Sequence, residues 1–195
     1  MRELPGLVLF AFVSSGTPGP NNLLLWASGI QFGFRATVPQ IIGTSAGIGA
    51  LALGVAAGLG IVVTRVPEVE LALKVIGSAY LLFLAFQLAG GGVIHRARIE
   101  RPLRFHEAAA FQFLNPKGWL FVLAAVSTFR PDDLPVAIGS AMVILTMMVV
   151  VIPTAATWAA GGTALHRVVA NQRSHRTLNG ALGLLLAASI AFIWI

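Results

Sequence analysis

The sequence predicts an all-α integral membrane protein with six transmembrane helices arranged as a 3+3 inverted repeat, its first and fourth helices broken. Three observations predict it. Of 195 residues, 57% are hydrophobic and 10% are charged, against about 25% charged in soluble domains. Six apolar segments approach or exceed the ~20 helical residues needed to cross ~30 Å of hydrocarbon. Two of them, one in each half, are interrupted by polar proline motifs: Thr17-Pro18-Gly19-Pro20-Asn21-Asn22 and Asn115-Pro116-Lys117.

The first expected span, 4–32, is broken at 18–22. Arg2, the run Leu4 to Val13 and Ser14-Ser15-Gly16 have the outline of a secretory signal. Apolar sequence resumes after Asn22 with no soluble region to export, so a retained helix is expected. The second span, 38–63, holds Gly43, Gly47, Gly54 and Gly58. These form two small-xxx-small pairs that allow close helix approach, either inside the molecule or between subunits. The third, 71–89, stops at Gly90-Gly91-Gly92, where the longest connection, 90–107, begins. The fourth, 108–129, is broken at 115–117. The fifth, 134–164, contains Pro153 followed by Thr154, Thr157 and Trp158, which read equally as a packing kink or as one wall of a binding site. The sixth is 178–195.

Three spans per half force the halves into opposite orientations, with the two breaks meeting near the midplane. The chain then reads as one transmembrane domain, 1–195: a first repeat of about 1–92, a basic linker of about 93–106 and a second repeat of about 107–195. The linker side carries eight basic residues, Arg35, Arg96, Arg98, Arg101, Arg104, Arg167, Arg173 and Arg176. The other side carries four, Arg2, Arg65, Lys74 and Arg130. Short cytoplasmic loops are the Lys/Arg-rich ones, so linker 90–107 is expected in the cytoplasm and both termini outside. The basic residues sit in loops between apolar spans rather than along one soluble face, so the net charge of +6 does not point to nucleic acid.

The breaks carry the chemistry. Inside a bilayer, non-helical backbone is tolerated only where protein buries it or where it lines a cavity. Pro18 and Pro20 lack an N–H, so the carbonyls of Ser14 and Gly16 lose their helical partners. Asn21 and Asn22 open the following half-helix, whose unpaired N–H groups and dipole favour an anion. Free carbonyls beside an anion-attracting helix end suit a zwitterion. A kink repaired by Ser14, Ser15, Thr17 or water is the alternative. Lys117 is the one charged residue deep in a span. From mid-helix the nearer end is roughly 13 Å away, beyond the ~6 Å reach of a lysine stem. An intramembrane charge marks function by default, and with no acid at that depth a substrate carboxylate is its expected partner. Pro116 frees the Gln112 carbonyl, and Asn115 has the reach to bond across to the first break. The candidate substrate-binding set is Thr17, Pro18, Gly19, Pro20, Asn21, Asn22, Asn115, Pro116 and Lys117.

Other chemistries find no support. There is no cysteine, hence no disulfide framework or thiolate metal site. His95, His106, His166 and His175 fall in or beside expected loops without metal-ligand spacing. No phosphate-binding loop is present and no Ser-His-Asp arrangement is discernible. No catalytic residue, metal or cofactor is expected.

The motifs together resemble a known family. Thr17-Pro18-Gly19-Pro20-Asn21-Asn22, followed by Ser28-Gly29 and Phe32-Gly33-Phe34-Arg35, looks like the opening of the LysE/RhtB bacterial amino-acid exporters. Gly43 to Gly49, Lys74-Val75-Ile76-Gly77-Ser78-Ala79-Tyr80-Leu81, Phe113-Leu114-Asn115-Pro116-Lys117 and Asn179-Gly180 to Leu185 resemble that family's later motifs, in order. Ala124 to Phe129 and Trp158-Ala159-Ala160-Gly161 look most like its cysteine/O-acetylserine branch. The resemblance implies a multi-pass secondary transporter of the bacterial inner membrane. It would export amino acids or related metabolites by alternating access, driven by membrane potential or proton gradient. Many members carry an acid in the fifth span. Here Met148 to Pro153 has none, which favours a small neutral substrate over a basic one. Expected partners are the amino acid and the lipid bilayer, with a homo-oligomer open. The rival readings are a non-transporting membrane assembly or binding subunit, an exporter of a non-amino-acid metabolite, and a membrane enzyme resting on Asp132-Asp133.

Overall fold

The computed structural model describes residues 3–89, 101–168 and 172–194. Most of the expected linker, including His95, Arg96 and Arg98, therefore lies outside the described residues. So do Arg2 and the Gly90-Gly91-Gly92 stop. The described chain is helical: α1 Leu4–Gly16, α2 Pro20–Ala56, α3 Leu59–Arg65, α4 Pro67–Ala89, α5 Phe105–Leu114, α6 Pro116–Phe129, α7 Val136–Val168, α8 Gln172–Ala188 and α9 Ala191–Trp194.

Among the described residues, three helices are long and apolar enough to cross a membrane: Pro20–Ala56, Pro67–Ala89 and the Val136–Leu165 stretch of α7. A fourth span arises if α5 and α6, bent by 76° at Asn115, count as one. α1 and Thr177–Ala188 are apolar but shorter. The protein is thus an all-helical, multi-pass membrane protein, and the six expected spans do not all appear as separate long helices. One reason is local. The expected first and second spans run together in α2, whose 37 residues would stretch about 55 Å if straight.

α2 is not straight. Gly33 sits at φ 78°, ψ 167°, a left-handed conformation that glycine reaches without steric cost. Ser28 Oγ donates to Gln40 Oε1 at 2.7 Å, and Thr44 Oγ1 donates to Asn21 Oδ1 at 3.0 Å. Straight helix would hold those pairs about 18 and 34 Å apart. The two arms, 20–32 and 34–56, therefore fold back on each other about Gly33.

Two large apolar cores are joined by a third, smaller cluster in which Leu25 and Ile41 of α2 meet Ala155 and Ala159 of α7. One gathers Leu7 and Ala11 of α1, Ile48 and Leu51 of the second α2 arm, Val122 and Ala125 of α6, and Val143 and Met147 of α7. The other gathers Leu23, Leu24 and Ile30 of the first α2 arm, Leu81 and Leu84 of α4, Phe111 of α5, and Leu182 and Leu186 of α8. The chain passes from the first core to the second between α1 and α2, and from the second to the first between α5 and α6. Both of these crossings are proline breaks, and the chain also passes from the second core to the first within α2, between its two arms. Large apolar side chains such as Leu9, Phe12, Phe83, Phe86, Leu120, Val149 and Leu184 stay more than half exposed on the outside, as a lipid-facing surface requires.

The glycines divide into two uses. A Cβ on Gly43 would collide with the Phe105 carbonyl, and one on Gly47 would lie 2.5 Å from the Ala109 carbonyl. The first small-xxx-small pair thus serves an internal contact between α2 and α5. The second expected pair does not mark a helix contact. Gly54 faces the Leu59 side chain of the adjoining turn, and Gly58, at φ 104°, makes the turn itself. Gly29 in the same way admits the Ala159 carbonyl of α7.

Gly29→Ala and Gly43→Ala force backbone apart at these contacts. Overpacking of this kind costs about 1–3 kcal/mol, and at roughly 2–4 °C per kcal/mol for a chain of this size the thermal midpoint in detergent drops by several degrees. Gly161→Ala, which meets open space, leaves it unchanged or slightly raised. Equal behaviour of all three variants contradicts the close contacts.

Candidate functional site

The carbonyls of the first break are accounted for. From Ser14 to Pro18, each carbonyl that the prolines and the extended residues release finds a side-chain donor. Ser14 O accepts from Thr17 Oγ1 at 2.9 Å. Asn22 Nδ2 reaches back to Ser15 O at 2.7 Å and Thr17 O at 2.8 Å. Gly16 O accepts from Trp158 Nε1 of α7 at 3.1 Å. Lys117 Nζ, from the first turn of α6, donates to Thr17 O at 2.7 Å, Thr17 Oγ1 at 2.8 Å and Pro18 O at 3.2 Å. Backbone acceptors at membrane depth cost free energy unless paired, so these donors are what permit the break.

The second break is repaired at closer range. Asn115 N–H bonds to Gln112 O at 3.3 Å, and Trp119 Nε1 donates to Phe113 O at 2.9 Å. Asn115 does not reach across to the first break as expected. Its Nδ2 donates to Gln112 Oε1 at 3.3 Å, and Gln112 makes the crossing, its Nε2 donating to Asn21 Oδ1 at 3.1 Å. With Asn115 ending α5 and Gln112 one turn earlier, the longer side chain has the reach. Asn115 Oδ1 is buried and accepts no hydrogen bond from the described residues, the kind of group a ligand donor or an ordered water satisfies.

These residues line a small, partly open cavity of about 40 Å³, large enough for one or a few waters in this conformation. Its wall includes Ser14, Ser15, Gly19, Asn21, Asn22, Thr44, Gln112, Asn115, Lys117 and Thr154. Of the expected set, Gly19, Asn21, Asn22, Asn115 and Lys117 line it. Thr17 and Pro18 hold the Lys117 ammonium beside it, while Pro20 and Pro116 open the two helices that flank it. Lys117 is half-buried and is the one charged side chain among the lining residues. Its partners are the oxygens of the first break rather than an empty anion site. Among the described residues no His/Asp/Glu group is arranged to hold a metal.

Sequence reasoning omits Thr44 and Gln112 and leaves Thr154 and Trp158 undecided. Thr44 and Gln112 converge on Asn21 Oδ1, and Thr154 Oγ1 lies 2.9 Å from Ser15 Oγ. Polar residues in apolar helices are the available signal. Their shared height opposite the first break is not.

The profile of the LysE type translocator family matches residues 12–192. Over 123 residues the chain is 30% identical to proteins named cysteine/O-acetylserine efflux protein from Salmonella typhimurium, Salmonella typhi and Escherichia coli. Each match covers 62% of this chain and 62% of the relative. No solved structure matches. The profile covers nearly the whole chain, both breaks included, and the chain belongs to the LysE type translocator family.

Proposed function

We propose that this protein is a secondary transporter that exports small neutral amino acids or closely related metabolites across the bacterial inner membrane by alternating access. The observation that carries this reading is the meeting of the two breaks around one cavity. Lys117 of the second lies on Thr17 and Pro18 of the first, and Gln112 lies on Asn21. Family membership and relatives named for cysteine and O-acetylserine efflux support the class of cargo. So does the lining, whose donors and acceptors surround one cation and no acid, which suits a zwitterion better than a basic amino acid.

Thr17, Pro18, Gly19, Pro20, Asn21, Asn22, Asn115, Pro116 and Lys117 form the proposed site, with Thr44, Gln112 and Thr154 completing its walls. Two features support six spans in inverted repeats of about 1–92 and 107–195. The arms of α2 fold back at Gly33, and the two breaks cross between the cores in opposite directions. Internal use of Gly43 and Gly47 against α5 counts against the assembly-subunit reading, which would use such glycine faces for a partner. The charge bias, eight basic residues against four, supports a cytoplasmic linker and external termini.

Cells expressing the chain, preloaded with dipeptides that release cysteine, threonine, leucine or lysine, are expected to lose one neutral amino acid selectively. Asn22→Ala and Lys117→Ala, inserted at normal levels, abolish that loss. Full export by both variants removes the site assignment, and no efflux of any of the four from inserted protein removes the amino-acid reading. The chain lacks cysteine, so single replacements report orientation. Asp132→Cys reacts with an impermeant maleimide on intact spheroplasts, whereas His106→Cys reacts only after lysis. The reverse pattern inverts the topology.

A further inference from the structure

Three oxygens converge on the Lys117 ammonium: Thr17 O at 2.7 Å, Thr17 Oγ1 at 2.8 Å and Pro18 O at 3.2 Å. An ammonium has three N–H donors and no acceptor, so this cage meets its full capacity. The cage is also shaped for the lysine stem. A Cβ on Gly19 would lie 2.7 Å from Lys117 Cδ, so a larger residue there would push the stem from its present path. No carboxylate lines the cavity. The break thus holds a primary ammonium, supplied by the protein itself from 100 residues away.

Resting on the exporter reading, we propose that Lys117 is a tethered stand-in for the substrate's α-ammonium, filling the Thr17–Pro18 cage at rest and displaced from it by the substrate. The incoming ammonium takes the oxygens of Thr17 and Pro18, and the released Lys117 pairs with the substrate carboxylate. The exchange conserves both the hydrogen-bond count at the break and the net charge of the cavity. A ligand with one of the two groups fails for a definite reason. A bare amine would set a second cation beside Lys117 with no anion between them. A carboxylate without an amine would draw Lys117 away and leave Pro18 O without its donor and Thr17 O with Asn22 Nδ2 alone, a loss that the free amine makes good. Both charged ends of the substrate are therefore required, and the protein discriminates by the free amine more strongly than by the side chain.

O-Acetylserine and N-acetylserine are isomers that differ in whether the amine is free, and they test this directly. Purified wild-type protein in detergent, kept below neutral pH so that the acyl group stays in place, is titrated with each isomer by thermal shift, and flux of each is measured in proteoliposomes. O-Acetylserine is expected to stabilise the protein and to cross, with N-acetylserine at least tenfold weaker in both. Equal response to the two isomers overturns the exchange. Methylammonium supplies the second arm. It leaves wild type unshifted, because the cage is full, and it stabilises Lys117→Met or Lys117→Gln, in which the cage stands open. A folded variant that ignores methylammonium overturns the tethered-cation assignment. If neither isomer binds or crosses while methylammonium still stabilises the variants, the cage stands and the exporter reading is what fails. Should neither variant fold, the isomer comparison on wild type decides alone.

Discussion

The structure depends on one constraint: backbone that leaves the helix inside a bilayer must be paired by something other than water. Pro18 and Pro20 make that demand, and four side chains meet it. Thr17 and Asn22 are local, whereas Trp158 and Lys117 arrive from α7 and α6. The break is therefore stable only in the assembled bundle. The carbonyls that fix α7 and α6 against α1 belong to Gly16, Thr17 and Pro18, the residues between the cavity-lining Ser15 and Gly19. On the proposed reading, a substrate that engages those carbonyls alters the contacts holding the two halves together, which is the coupling that alternating access requires.

The two cores explain why such a rearrangement is feasible. α1 and α6 belong to one, the first arm of α2 and α5 to the other, and the two breaks are joined to each other by hydrogen bonds, with a small apolar cluster of Leu25, Ile41, Ala155 and Ala159 packing α2 on α7. Hydrogen bonds exchange partners at small net cost, whereas a packed apolar interface does not deform continuously. α7 and the second arm of α2 place Thr154 against Ser15 and Thr44 against Asn21. Close glycine contacts, Gly29 with Ala159 and Gly43 with Phe105, hold those long elements near the breaks.

Much of this is legible in the sequence. Prolines beside asparagines in an apolar run mark a break regardless of context, and a lysine with no acid at its depth marks a site. What the pattern does not supply is height. Gln112, Thr44 and Thr154 are single polar residues in apolar helices, and only the register of one helix against another shows that they face Asn21 and Ser15. For the same reason Asn115 is the residue the sequence expects to cross to the first break, although it falls one turn short of where Gln112 does so. By sequence, Gly33 belongs to a loop between spans. A single left-handed residue suffices to reverse the chain, and the helix resumes at once. Gly54 and Gly58 match a helix-contact spacing but serve a turn, because spacing does not distinguish a face from an end.

The central claim is that substrate occupies the space between the two breaks. Ser14 lines that space, and Ser14→Cys is a near-isosteric change in a chain otherwise free of cysteine. The measurement is the rate at which a small, water-soluble thiol reagent modifies the Ser14→Cys variant in transport-competent proteoliposomes, with and without saturating O-acetylserine. Substrate occupying the cavity slows modification severalfold. An unchanged rate while O-acetylserine is being transported would place the pathway elsewhere in the bundle and contradict the account.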